Sequence, residues 1–149
     1  MFSRFLAVFL AFFLTSTAAQ ARTWNITIPT WVSELASTHS ADDETACVAL
    51  AVYYESRGET IRGQRAVASV VMNRARSGRF PESACGVLFQ RSQFSFIKGH
   101  ALTPAGGSWD TAMQIAREFV ARADTEVPYL FFSSERRLRG YRIGGHVFR

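Results

Sequence analysis

Lysine is almost missing from this chain of 149 residues: Lys98 is the only one, so the formal net charge of +5 rests on arginine. Cysteine and histidine are scarce too, at two and three residues. His39, His100 and His146 are scattered without ligand spacing, and neither C-x-x-C nor H-E-x-x-H occurs, which argues against a zinc framework. After the first twenty residues there is no second long apolar run, so nothing reads as a further membrane span. Internal repeats and low-complexity tracts are lacking as well, which leaves one ordinary domain as the expectation.

What is present begins with a leader. Arg4 supplies a positive start, Phe5 to Leu14 is uncharged and apolar, and Ala19-Gln20-Ala21 has the small-x-small form of a signal-peptidase site. Residues 1–21 therefore read as a signal peptide, with an uncleaved anchor as the competing reading. The apolar run is short of the roughly 20 residues a settled spanning helix needs. Export to the periplasm or cell envelope is the expected location. There the basic excess points to peptidoglycan carboxylates, lipopolysaccharide phosphates or lipid headgroups rather than to nucleic acid. A solvated surface with a mild arginine excess explains the charge equally well. In an oxidising compartment Cys47 and Cys85 are expected to pair as a disulfide, with a metal site as the weaker alternative.

Residues 22–42 are polar and carry Pro29, and read as a lead-in or linker with one short helical turn. Asp42, Asp43 and Glu44 then place negative charge where a helix begins. Cys47, Leu50, Ala51 and Tyr54 follow at i, i+3, i+4 and i+7, the apolar face of a helix that Gly58 ends. A second helix is expected over Arg62–Ser77, with Ala66, Val67, Val70 and Val71 inward and Arg65, Arg74 and Arg76 elsewhere. A short helix over Glu82–Phe89 and a loop over 98–108 come next. Trp109–Ala123 reads as a helix N-capped by Ser108, with Ala112, Ile115, Ala116 and Phe119 on one side. Tyr129–Phe132 and Tyr141–Phe148 read as short strands around the turn Arg136–Gly140. The expected class is α+β, predominantly α, with a small C-terminal β element.

Tyr53-Tyr54-Glu55-Ser56-Arg57-Gly58-Glu59 stands out chemically. Glu55 lies four residues beyond Ala51, on or beside the buried stripe and in the last helical turn. Burial and the helix C-terminus both push a carboxyl pKa up, as a general acid requires. Glu59, past the helix break, is expected to be wetter and ionised, and two carboxyls in unlike surroundings near Arg57 suit acid catalysis. The competing reading is that Glu55 pairs with an arginine and ties two helices together.

Glu55-Ser56-Arg57-Gly58-Glu59, Gly63-Gln64, Ala66-Val67-Ala68, Val70-Val71 and Asn73-Arg74 together resemble the signature of the SleB/CwlJ-type cell-wall hydrolases. The likeness continues through Arg79-Phe80-Pro81, Cys85-Gly86-Val87, Gln93-Phe94-Ser95-Phe96, Ile143-Gly144 and His146-Val147-Phe148, across roughly residues 44–149. It implies a compact lysozyme-like single domain over 43–149 that acts as a lytic transglycosylase on peptidoglycan glycan strands. The catalytic acid/base falls on Glu55, and no cofactor or metal is implied. Glu59, Arg57, Gln64, Gln93, Ser95 and Phe96 are the candidate substrate-binding residues. In an extended stretch Gln93 and Ser95 would share one side. The alternative for that stretch is that Phe94 and Phe96 are core while the polar pair caps a turn. Gln64 and Asn73 could line the groove or make structural hydrogen bonds, and His146 reads as buried and structural. Family members often carry a histidine-containing aromatic segment followed by proline and tryptophan; Tyr129–Glu135 has neither feature. The rival functions are an N-acetylmuramoyl-L-alanine amidase, which generally needs zinc, and a catalytically silent glycan-binding envelope protein. A monomer is expected, targeted by this domain itself or through an envelope accessory protein.

Overall fold

The structure, a computed structural model, describes residues 23–97 and 102–149. The leader, Lys98 and His100 lie outside them. Among the described residues five helices precede a small sheet: α1 (Thr30–Thr38), α2 (Asp43–Ser56), α3 (Ile61–Arg76), α4 (Ala84–Phe89), α5 (Gly107–Ala121), then β1 (Phe132–Ser133), β2 (Tyr141–Ile143) and β3 (His146–Phe148). The class is α+β and predominantly α.

α2 is the hub. It starts at the Asp42 cap, whose carboxylate accepts the Thr45 N–H at 2.7 Å. It is not the one-faced helix its spacing suggests: every residue from Thr45 to Val52 is buried, because α1, α3, α4 and α5 all pack around it. A helix apolar on all sides belongs inside a core. Cys47 and Cys85 are joined as a disulfide with Cα atoms 5.1 Å apart, fixing α4 to α2. Glu44 reinforces that junction, its carboxylate accepting the Ala84 and Cys85 N–H groups at the start of α4.

Several expectations change in detail. The lead-in contains a nine-residue helix, α1, not a single turn, and its Val32 and Ala36 join the main core. α5 starts at Gly107 behind Gly106, so Ser108 is inside the helix and not its cap. Arg74 does not ride on the surface: it is 5% exposed. The last segment is not one strand but a hairpin. Ile143 pairs with His146 across the two-residue turn Gly144-Gly145, and β3 lies between β1 and β2, antiparallel to both. Gly144 sits at φ +57°, the left-handed region that makes glycine the natural first residue of such a turn. α3 separates two cores: Ala68, Val71 and Met72 face the helices, whereas Ala66, Val67 and Val70 meet Ile143 and Phe148.

Candidate active site

Glu55 is the next-to-last residue of α2 and is half-buried. Among the described residues its carboxyl has no hydrogen-bond donor and no ion pair, so the arginine tie considered from the sequence is not formed. Burial alone acts on it and raises its pKa above the ordinary glutamate value. A carboxyl in this state can carry a proton at a higher pH than a solvated one, which suits a proton donor.

An aromatic and cationic cluster adjoins it. Tyr54 stacks on Phe96, ring centres 4.6 Å apart and 20° from parallel, and Phe96 tilts against Phe94 at 5.7 Å. Arg57 lies over Tyr53 at 4.8 Å and over Tyr54 at 5.8 Å, so its partners are aromatic faces and not Glu59. Phe94 is core, as the alternative for that stretch had it; Phe96 is half-buried and Ser95 is exposed. The stretch is a series of turns and not an extended strand, although Gln93 and Ser95 are both exposed. Tyr53 and Tyr54 carry this cluster. From the sequence Tyr54 reads as a helix-face residue; the 90–97 loop gives it Phe96 as an outer neighbour, while Tyr53 meets the Trp109 ring and donates to the Ala105 carbonyl.

Glu59 belongs to a second group. Its Oε2 accepts the Gly145 N–H at 3.0 Å. A Cβ on Gly144 would fall 1.9 Å from that oxygen, and one on Gly145 would fall 2.6 Å from Oε1. The Glu59 carboxylate thus fills the concave side of the hairpin turn. Where the sequence reading expected a wetter group, Glu59 is half-buried against the turn. Gln64 turns back onto the same corner, its Nε2 donating to the Glu59 carbonyl at 3.0 Å, while its buried Oε1 has no partner among the described residues. His146 Nδ1 lies 3.9 Å from Glu59 Oε1, beyond hydrogen-bond reach, and has no other partner among the described residues. Burial lowers the His146 pKa against the opposing pull of Glu59, so at neutral pH the ring is uncharged and this contact is no ion pair.

Arg74, part of the Asn73-Arg74 block of the resemblance, forms a third group, whose burial the sequence does not signal. Its Nε donates to the Leu130 carbonyl at 2.7 Å and its Nη1 to Gln93 Oε1 at 3.2 Å. Phe80 and Phe131 flank it at 5.1 and 5.5 Å. Burial lowers its pKa. Gln93 is therefore held from behind, with its carbonyl oxygen occupied. Asn73 is structural, donating to the carbonyls of Val127 and Tyr129 at 2.7 and 2.9 Å. His39 accepts the Trp109 indole N–H on Nε2, which leaves Nδ1 as the donor to the Leu35 carbonyl. No three His, Cys, Asp or Glu side chains among the described residues converge as metal ligands.

A family model described as Cell Wall Hydrolase matches residues 58–149, beginning just beyond Glu55. The spore cortex-lytic enzyme of Bacillus subtilis is 29% identical over 120 residues, covering 72% of this chain and 38% of that protein. The spore cortex-lytic enzyme of Halalkalibacterium halodurans is 42% identical over 57 residues, covering 38% of this chain and 17% of that protein. The chain thus matches well under half the length of these relatives. Among solved structures, the catalytic domain of the Bacillus cereus SleB protein has a TM-score of 0.57 at 31% identity, covering 70% of this chain and 88% of that one. The catalytic domain of the germination-specific lytic transglycosylase SleB from Bacillus anthracis has a TM-score of 0.58 at 31% identity, covering 70% and 92%. The architecture shared with these domains is lysozyme-like.

Proposed function

Since this chain belongs to the cell wall hydrolase family and is related to SleB, we propose that it is a lytic transglycosylase acting on peptidoglycan, with Glu55 as its acid/base. The observation that carries this reading is the half-buried Glu55 carboxyl, without a partner among the described residues and with its pKa raised by burial. In the proposed reaction Glu55 gives its proton to the oxygen of the β-1,4 bond between N-acetylmuramic acid and N-acetylglucosamine, and the C1–O bond breaks. The resulting carboxylate takes the proton of the muramyl 6-hydroxyl as that oxygen bonds to C1. The products are a 1,6-anhydro end and a free 4-hydroxyl, with no water consumed, and Glu55 ends protonated as it began.

One carboxyl suffices for this path, whereas hydrolysis generally calls on a second. Glu59 is the nearest candidate in sequence, and its engagement by Gly145 and the hairpin turn supports the one-carboxyl path. Arg57, Phe96 and Ser95 remain the groups best disposed to meet glycan beside Glu55. Gln93, Gln64 and Glu59 act in this reading as supports behind that surface. Residues 43–149 form the catalytic unit, and residues 1–21 direct it to the periplasm or cell envelope.

Mass spectrometry of purified peptidoglycan incubated with the protein and with Glu55→Gln tests the reading. Anhydro-muropeptides from the parent alone are the expected result. Reducing-end products would point to a hydrolytic enzyme, freed stem peptides to an amidase, and binding without any product to a silent envelope protein.

A further inference from the structure

Positive charge is concentrated at one end of this molecule. Residues 129–149 hold Arg136, Arg137, Arg139, Arg142 and Arg149 against Glu135 alone, a net +4 of the chain's +5. On the helical side two arginines are paired with carboxylates: Arg65 with Glu118 and Glu126, and Arg122 with Asp124 and Glu126. Arg136, Arg137 and Arg139 are exposed, and among the described residues none has a carboxylate partner. The Arg142 guanidinium donates to the Arg136 and Leu138 carbonyls, curling that connection and holding these like charges together. Crowding like charges costs free energy that a bound anion recovers.

On the Tyr141 and Ile143 side of β2 lies a cavity of about 250 Å³, lined in part by Arg62, Tyr129, Tyr141 and Ile143 and bordered by Glu126, whose carboxylate is held by Arg65. The two tyrosines stack at 5.9 Å, 24° from parallel, and Tyr141 is 44% exposed. Arg62 donates to the Tyr141 hydroxyl and has no carboxylate partner among the described residues. β2, which carries Tyr141 and Ile143, is an edge strand of the sheet. Pairing of Ile143 with His146 across a two-residue turn directs the Arg142 N–H and C=O to the open edge, by the alternation of antiparallel ladders. An extended peptide can add to such an edge while its carboxylates meet arginine.

We propose that this face binds peptidoglycan stem peptides, so that the protein selects peptide-bearing glycan over stripped glycan. The inference rests on the reading of the protein as a peptidoglycan enzyme. A short acidic peptide satisfies all three features at once: guanidinium groups, a recessed aromatic platform and a strand edge. An anionic bilayer would answer only the first.

The test is binding of the full chain carrying Glu55→Gln to surface-immobilised glycan strands that keep their stem peptides and to the same immobilised strands stripped of them by an amidase. Peptide-bearing strands should bind about tenfold more tightly at low salt, and the difference should fade as salt screens the charges. Adding R136Q, R137Q and R139Q together should bring the ratio to about one. Equal affinity of the parent for both polymers overturns the proposal. So does an unchanged ratio in the triple variant, and if that variant also loses binding to phosphatidylglycerol vesicles, a lipid surface takes the place of the peptide. The readout needs no strand cleavage, so a flat ratio sinks the stem-peptide inference alone, while absent anhydro-muropeptides sink the cutting reading alone.

Discussion

Two glutamates four residues apart flank the corner between α2 and α3, and they live in different chemical surroundings. At the end of α2, Glu55 is half-buried with no donor to its carboxyl among the described residues, so desolvation is the only influence and the proton is held more tightly. Beyond the corner, Glu59 takes the Gly145 N–H and fills the hollow of a glycine turn more than eighty residues away in sequence. A carboxyl without donors is poised to move a proton; one wrapped by a backbone turn holds architecture together. Residue type is the same in both places, and the partner set assigns the role.

The contrast can be broken most decisively at Glu55. Glu55→Gln should lower product formation by about 10²–10⁴-fold, the range for a lost general acid. The same variant should not be less stable. The folded-state pKa is raised above the unfolded value near 4.5, so ionising Glu55 costs the fold as pH rises through that window. Melting curves should therefore favour Glu55→Gln increasingly from pH 4 upward. A variant that melts lower at pH 8 would mean that Glu55 is a structural tie after all.

The disulfide sharpens the comparison from the Glu55 side, since Cys47 lies on the same helix. Cys47→Ala with Cys85→Ala opens a loop spanning 38 positions and should cost about 3–4 kcal/mol in urea unfolding. A loss below about 1 kcal/mol would assign the α2–α4 junction to the Glu44 cap instead. On the Glu59 side, Gly144→Val forces a branched residue into φ +57° and onto the carboxylate, and should cost about 2–3 kcal/mol. Glu59→Gln should cost about 1 kcal/mol or less and keep product formation, because an amide oxygen can still accept the Gly145 N–H. Loss of product in Glu59→Gln with normal melting would promote Glu59 to the chemistry.

The smallest effect is expected at His146. Its folded pKa is depressed below 6.5 by burial, so the unfolded chain binds the proton more readily. Stability is complete above pH 6.5 and declines as pH falls through the unfolded value, until the folded pKa is reached. His146→Phe should remove that part of the acid slope, measured as melting temperature between pH 7 and 5.

Much of the fold was legible because it is local. α3 falls within one residue of its expected bounds, and the inward faces of α3 and α5 follow from a 3.6-residue period. α2 was harder: its spacing marks one apolar face, but four neighbouring helices leave no outer face along most of its length. Gly144-Gly145 carried a hairpin signal inside a segment read as one strand. The burial of Arg74 gave no signal, because an arginine near a helix end looks solvated until Leu130, Gln93 and two phenylalanines are seen around it.

By itself the sequence determined the helical periodicity, the pair of cysteines available for cross-linking, the arginine excess and the ordered motifs that place the chain among cell wall hydrolases. These depend on residue type and near-neighbour spacing. Tertiary structure alone decided that Glu55 finds no donor among the described residues, that Glu59 is claimed by Gly145, and that the C-terminal arginines gather at an open strand edge. Hydrogen bonds, desolvation and charge crowding act over a few ångströms in space, and residues 59 and 145 become neighbours only when the chain has folded.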